Sequence, residues 1–174
     1  EPKTVTIIQA RMSSPRLPGK VLRLVGSQPM LARVVARASR ASLVDEVMVA
    51  TTTDPSDEPI ASYCETAGIT CFRGDLYDVL DRYYQAARVS GASVVVRLTA
   101  DCPMIDPGEI DRTITQFHLT CADFTAWILR WFRSQRLNAP GRKLLSLLNA
   151  NMLCLTFTTC PGVSRSASLI GKKT

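Results

Sequence analysis

Thr4-Val5-Thr6-Ile7-Ile8-Gln9-Ala10-Arg11-Met12-Ser13-Ser14-Pro15-Arg16-Leu17-Pro18-Gly19-Lys20 decides the fold. Its first five residues are all β-branched and uncharged, the pattern of a strand covered on both faces and therefore of a parallel sheet. The loop that follows carries Arg11, Arg16 and Lys20. Phosphate binding asks for this combination: backbone N–H groups in a tight loop, guanidinium forks for oxygens and a mobile ammonium. No acid occurs between Glu1 and Asp45, so these cations have no partner nearby in sequence. That favours an anion site over a solvated surface loop.

Outward from this stretch, strand-like and helix-like patterns alternate. Pro29 to Ala38 puts Leu31, Val34, Val35 and Ala38 at helical spacing with arginines opposite. Asp45–Thr51 predicts a second strand, Glu58–Ala67 a helix stopped by Gly68, Thr70–Phe72 a short strand, and Val79–Val89 a helix ending before Gly91. Ser93–Thr99 is the strongest strand, and Asp106-Pro107 leads a helix over Glu109–Phe117. This order predicts an α/β fold, a mostly parallel Rossmann-like sheet flanked by helices. Ligands of such sheets bind beyond the C-terminal strand ends. Gln9–Lys20 and Thr99–Pro103 both lie at such ends and are expected to face one crevice.

Asp101 terminates the Val94–Leu98 strand. A carboxylate there needs a cation or helix-end amides if buried; Mg²⁺, held by one or two carboxylates plus substrate phosphates, is one reading, and a turn cap the other. In Arg73-Gly74-Asp75-Leu76-Tyr77-Asp78-Val79-Leu80-Asp81-Arg82, one of Asp75 and Asp78 is expected to cap the helix. Asp81 and Arg82 are candidates for ribose or sugar hydroxyls. The lone His118 reads as structural rather than as a general base.

At 174 residues and 46% apolar, the chain has length for one sizeable core. Residues 1–124 hold 13 Lys/Arg and 15 Asp/Glu, whereas 125–174 hold 8 Lys/Arg and no acid. The net +6 is thus a property of the last 50 residues. Two parts follow: a nucleotide-binding α/β domain at 1–124 and a basic tail at 125–174. Nucleic acid is not the expected partner, because beyond Trp127, Trp131 and Phe132 the tail has few aromatics. No run reaches the roughly 20 apolar residues of a membrane span, and Glu1-Pro2-Lys3-Thr4 lacks a secretory pattern, so a cytoplasmic protein is expected. Six cysteines without a C-x-x-C pair suggest buried free thiols rather than a zinc site or disulfide framework.

Four segments in order, Ile7–Met12, Arg16–Leu22, Asp78–Ala86 and Asp101–Pro107, resemble the spore coat polysaccharide SpsF family. That family stands with the CMP-KDO and acylneuraminate cytidylyltransferases, and the resemblance covers about residues 4–124. It implies a GT-A-like nucleotidyltransferase fold and attack of a sugar hydroxyl on the α-phosphate of CTP, releasing pyrophosphate, for surface or spore-coat glycan synthesis. By position it implies that Ala10 contacts the base through its backbone and that Arg11, Ser13, Arg16 and Lys20 belong to the nucleotide loop. Arg82 would lie near nucleotide or sugar, and Asp101 would bind Mg²⁺. Lys20, Arg11 and Asp101 form the catalytic set, acting by charge neutralisation and alignment rather than as an acid–base pair. A sugar or sugar acid is the implied second substrate, and a homodimer stays open.

The chain departs from the family pattern in Ser13-Ser14-Pro15, where relatives have Gly-Ser-Thr, and in Ala100, where they have Gly. After Phe124 the resemblance ends, without the second metal-ligand Asp of relatives. Two readings of the tail remain: a lineage-specific extension that binds something acidic, or translation in a shifted frame after about Thr125. The alternatives to the transferase are a GT-A glycosyltransferase and a catalytically impaired nucleotide-binding remnant.

Overall fold

The computed structural model describes residues 2–120 and 130–133. The chain runs through β1 (Thr4–Gln9), a 3-10 turn at Lys20–Leu22, a hairpin of β2 (Leu24–Val25) and β3 (Gln28–Pro29), α1 (Met30–Ala38) and β4 (Glu46–Thr52). A second 3-10 turn at Pro55–Asp57 leads into α2 (Glu58–Thr66), β5 (Thr70–Gly74), α3 (Val79–Ser90), β6 (Val94–Thr99), α4 (Pro107–Thr120) and β7 (Arg130–Arg133).

β1 lies at the centre because both its edges and both its faces are covered. β4 and β6 pair with it in parallel from either side, β5 extends the sheet beyond β4, and β7 closes the other edge antiparallel to β6. The resulting order is β5-β4-β1-β6-β7. Side chains of β1 alternate between two cores. Val5 and Ile7 pack with Tyr83, Ala86 and Ala87 of α3. Ile8 packs with Leu31 and Val34 of α1, Ile60 of α2, and Ile110, Ile114 and Phe117 of α4. Two apolar layers explain why the segment is hydrophobic without alternation, and each fully buried Ile or Leu contributes about 1.5–3 kcal/mol.

The predicted mostly parallel sheet with flanking helices is the observed one, with element ends shifted by up to three residues. The sequence reading missed the β2–β3 hairpin and β7. Arg130–Arg133 joins the sheet where the sequence pattern was expected to have broken. The tail's apolar segments Trp127–Leu129 and Leu144–Leu148, whose sequence is compatible with short helices, lie outside the described residues. Cys64 is buried and, with Cys71 and Cys102, free. No described helix is long and apolar enough to cross a membrane.

The sheet order fixes where a ligand can enter. The chain moves outward from β1 to β4 and β5, then returns past β1 to lay down β6. The strand order therefore reverses between β1 and β6, the place where ligands of open α/β sheets bind beyond the C-terminal strand ends.

Candidate active site

At this reversal Gln9 of β1 lies opposite Thr99 of β6. The Ala100 N–H donates to the Gln9 carbonyl at 3.0 Å and the Ala10 N–H to the Ala50 carbonyl at 3.1 Å. The first residue of each loop is thus still tied into the sheet. Both alanines are 2% exposed, and they form a fixed floor from which the two loops rise.

The loop after β1 closes on itself through a single peptide. The Met12 carbonyl accepts from the Ser14 and Gly19 N–H groups, each at 2.9 Å. Gly19 makes this closure with φ +70°, in the left-handed region that L side chains avoid. Lys20 then opens the 3-10 turn, and its ammonium crosses to Asp101, Nζ to Oδ2 2.6 Å, a partner 81 residues away in sequence. The Asp101 carboxyl is held below the ordinary carboxylate range, first by this bond and then by the Thr99 side chain. The two chemically loaded segments therefore do face each other. Arg11, Ser13 and Arg16 are exposed on the same loop. Neither arginine forms an ion pair among the described residues.

Arg82 has a different setting from the other cations. It is 1% exposed, and a Cβ on Gly74 would meet its Cγ at 3.0 Å, so glycine is what lets Arg82 pack against the end of β5. Its Nη1 donates to the Asp75 carbonyl at 3.0 Å, while its Nε has no hydrogen-bond partner. Burial pulls the guanidinium pKa down; the attraction of Asp57 opposes that, and the repulsion of Arg11 adds to it. Of the two capping candidates Asp78 is the N-cap of α3, accepting from the Asp81 N–H at 2.8 Å, and Asp75 accepts from the N–H groups of Tyr77 and Asp78. The Asp81 carboxylate accepts from Gln85 on its own helix. His118 is exposed and edge-on to Phe117.

Two features escaped sequence reading. Asp57 is fully buried and accepts from the Met12 N–H at 2.6 Å and from the Thr52 hydroxyl. Its signal was a carboxylate just past the C-terminal end of β4, on the crevice side of the sheet. Gln9 accepts from Arg97 at 3.3 Å, and the Arg97 guanidinium lies 5.2 Å over the Tyr83 ring. A strand arginine in an apolar run was the signal there. Among the described residues no three His, Cys, Asp or Glu cluster as a metal site.

A parallel sheet with reversed strand order, and a cation-bearing loop facing a carboxylate at the reversal, define the class as a nucleotidyltransferase-like α/β enzyme. Residues 5–157 match the model of the Cytidylyltransferase family, and the chain belongs to that family. The match runs past residue 124, where the resemblance read from motifs had ended. The chain is 36% identical over 151 residues to the spore coat polysaccharide biosynthesis protein SpsF of Bacillus subtilis, covering 84% of this chain and 59% of that protein. It is 37% identical over 110 residues to the 3-deoxy-manno-octulosonate cytidylyltransferase of Pelobacter propionicus, covering 62% and 42%. A cytidylyltransferase structure from Leptospira borgpetersenii superimposes with TM-score 0.75 at 29% identity, covering 84% of this chain and 65% of that one. The chain thus spans about half the length of the curated relatives it matches.

Proposed function

We propose that the chain binds CTP and serves transfer of its CMP group to a sugar or sugar acid, with release of pyrophosphate, in surface or spore-coat polysaccharide synthesis. The observation that carries this reading is the Lys20–Asp101 contact at the strand-order reversal, flanked by Arg11 and Arg16 with no acid of their own. A triphosphate supplies the anions that this loop lacks. Ala10, fixed to the sheet, meets the base through its backbone. Arg11, Ser13, Arg16 and Lys20 hold the phosphates, Lys20 toward the β and γ groups, and Arg82 supports the site from below. The acceptor hydroxyl attacks the α-phosphorus, its proton passing to solvent water, and the bond to the bridging oxygen breaks with its electron pair leaving on pyrophosphate. Lys20 and the guanidinium forks stabilise that developing charge.

Asp101 fits a divalent cation. It is ionised, 43% exposed in its side chain, and already bonded to a cationic group. One carboxylate with the nucleotide's phosphates suits Mg²⁺, which keeps several waters and takes few protein ligands. When bound there, Mg²⁺ neutralises phosphate charge as a Lewis acid.

Calorimetric titration with CTP and CMP in Mg²⁺ buffer tests the reading. Lys20→Ala should lower CTP affinity by roughly 10-fold or more, the value of a charge-assisted hydrogen bond, and CMP affinity far less. Equal losses for both would move Lys20 away from the terminal phosphates. Wild-type protein that binds no CTP would overturn the reading.

A further inference from the structure

Asp57 and Arg82 are the fully buried charged residues among those described, and only Arg82 entered the sequence reading. Asp57 occupies the N-cap position of α2 yet makes no side-chain capping bond to that helix. A carboxylate removed from water must be met elsewhere, and Asp57 spends its oxygens away from α2. Oδ1 accepts the Met12 N–H at 2.6 Å and Oδ2 accepts the Thr52 hydroxyl. Met12 is the residue on which the loop closes. Its carbonyl gathers the N–H groups of Ser14 and Gly19, so the segment from Met12 to Gly19 is gripped on both sides of one residue.

We infer that Asp57 is a positioning residue for the nucleotide: through Met12 it fixes the loop that presents Arg11, Ser13, Arg16 and Lys20. This rests on the loop being the triphosphate site. Asp57 reaches no ligand itself. It joins the end of β4 to the loop after β1, so the spacing of the loop cations from Asp101 depends on it. The short bond from the Met12 N–H to Asp57 also orients the Met12 peptide plane, which sets the direction in which the chain enters residues 13–18.

The test uses Asp57→Ala, Asp57→Asn and the milder Thr52→Val, with Ile60→Ala as a neighbouring core control. Amide exchange in the ligand-free protein and CTP affinity by calorimetry are the readouts. Asp57→Ala should speed exchange at Met12 and Gly19 at least 10-fold while β6 amides stay protected, and should weaken CTP binding 10-fold or more. Asp57→Asn keeps an acceptor for Met12 and should recover CTP affinity to within about threefold of wild type. Thr52→Val should move the same two amides the same way by less, which keeps the test decisive should Asp57→Ala fail to fold. Ile60→Ala should lower the melting temperature without either effect. Protected loop amides in Asp57→Ala and Thr52→Val, or an Ile60→Ala variant that reproduces both losses, would overturn the proposal. CTP binding lost in wild type would remove the site reading alone, and the exchange pattern would still decide whether Asp57 holds the loop.

Discussion

Lys20 and Asp101 meet at 2.6 Å with side chains 27% and 43% exposed, and exposure decides what the pair is worth. Water and salt screen it, so its coupling should lie in the range of about 0.2–1 kcal/mol. A double-mutant cycle with Lys20→Met and Asp101→Asn, read by urea unfolding, measures it. Because the folded Asp101 pKa is depressed, its contribution is present above the unfolded value of about 3.9 and is lost as pH falls through the folded one. Coupling at pH 7 should therefore fade on acidification below about pH 4, and a coupling unchanged well below that would assign it to packing. Lys20 was legible in sequence because no acid stands near it, and Asp101 because it is a carboxylate ending an apolar strand. Asp57 was not, since within Asp54-Pro55-Ser56-Asp57-Glu58 a carboxylate before a helix looks like any cap, and only the tertiary path of the loop shows Met12 arriving beside it.

At the scale of elements, β1 and α3 show how differently local signals act. β1 was readable because burial on both faces leaves no room for polar alternation, and the same holds for β6. α3 was readable from its ends: Asp78 caps it and Gly91 terminates it in a left-handed conformation at φ 65°. Asp78→Ala should cost about 1 kcal/mol of stability, measured by urea unfolding, and leave CTP affinity nearly unchanged because the Arg82 guanidinium is held by the Asp75 carbonyl. No loss of stability would mean that the Asp78 to Asp81 bond is not a working cap. β7 and the β2–β3 hairpin were illegible for a physical reason. Four residues with charged ends, Arg130-Trp131-Phe132-Arg133, and two-residue strands carry too little periodicity to register, and their pairing is decided by the edge each finds in space.

Over the whole molecule, the strand-order reversal brings together two loops that are far apart in sequence, and under the proposed function this would make metal and nucleotide binding interdependent. In the free protein one oxygen of Asp101, the carboxylate proposed to take a divalent cation, is bonded to the Lys20 ammonium. A metal ion binding alone must compete with that ammonium for the carboxylate. CTP changes the balance, because its phosphates give Lys20 another partner and at the same time complete the oxygen shell that one carboxylate cannot. Metal and CTP should therefore bind with positive coupling, each raising the affinity for the other by the same factor. Typical couplings of about 1–3 kcal/mol correspond to roughly 5- to 150-fold. Lys20→Met separates the contributions: freed of its ammonium, Asp101 should take Mn²⁺ more tightly in the absence of nucleotide, while the enhancement by CTP shrinks. Asp101→Asn should abolish the enhancement and leave only the metal affinity of CTP itself. Mn²⁺ titrations followed by the loss of its free-ion electron paramagnetic resonance signal, with and without CTP, read all three proteins directly. If Lys20→Met left Mn²⁺ affinity unchanged in the absence of CTP, the ammonium and the metal would not share Asp101, and the divalent cation would have to be held elsewhere in the crevice.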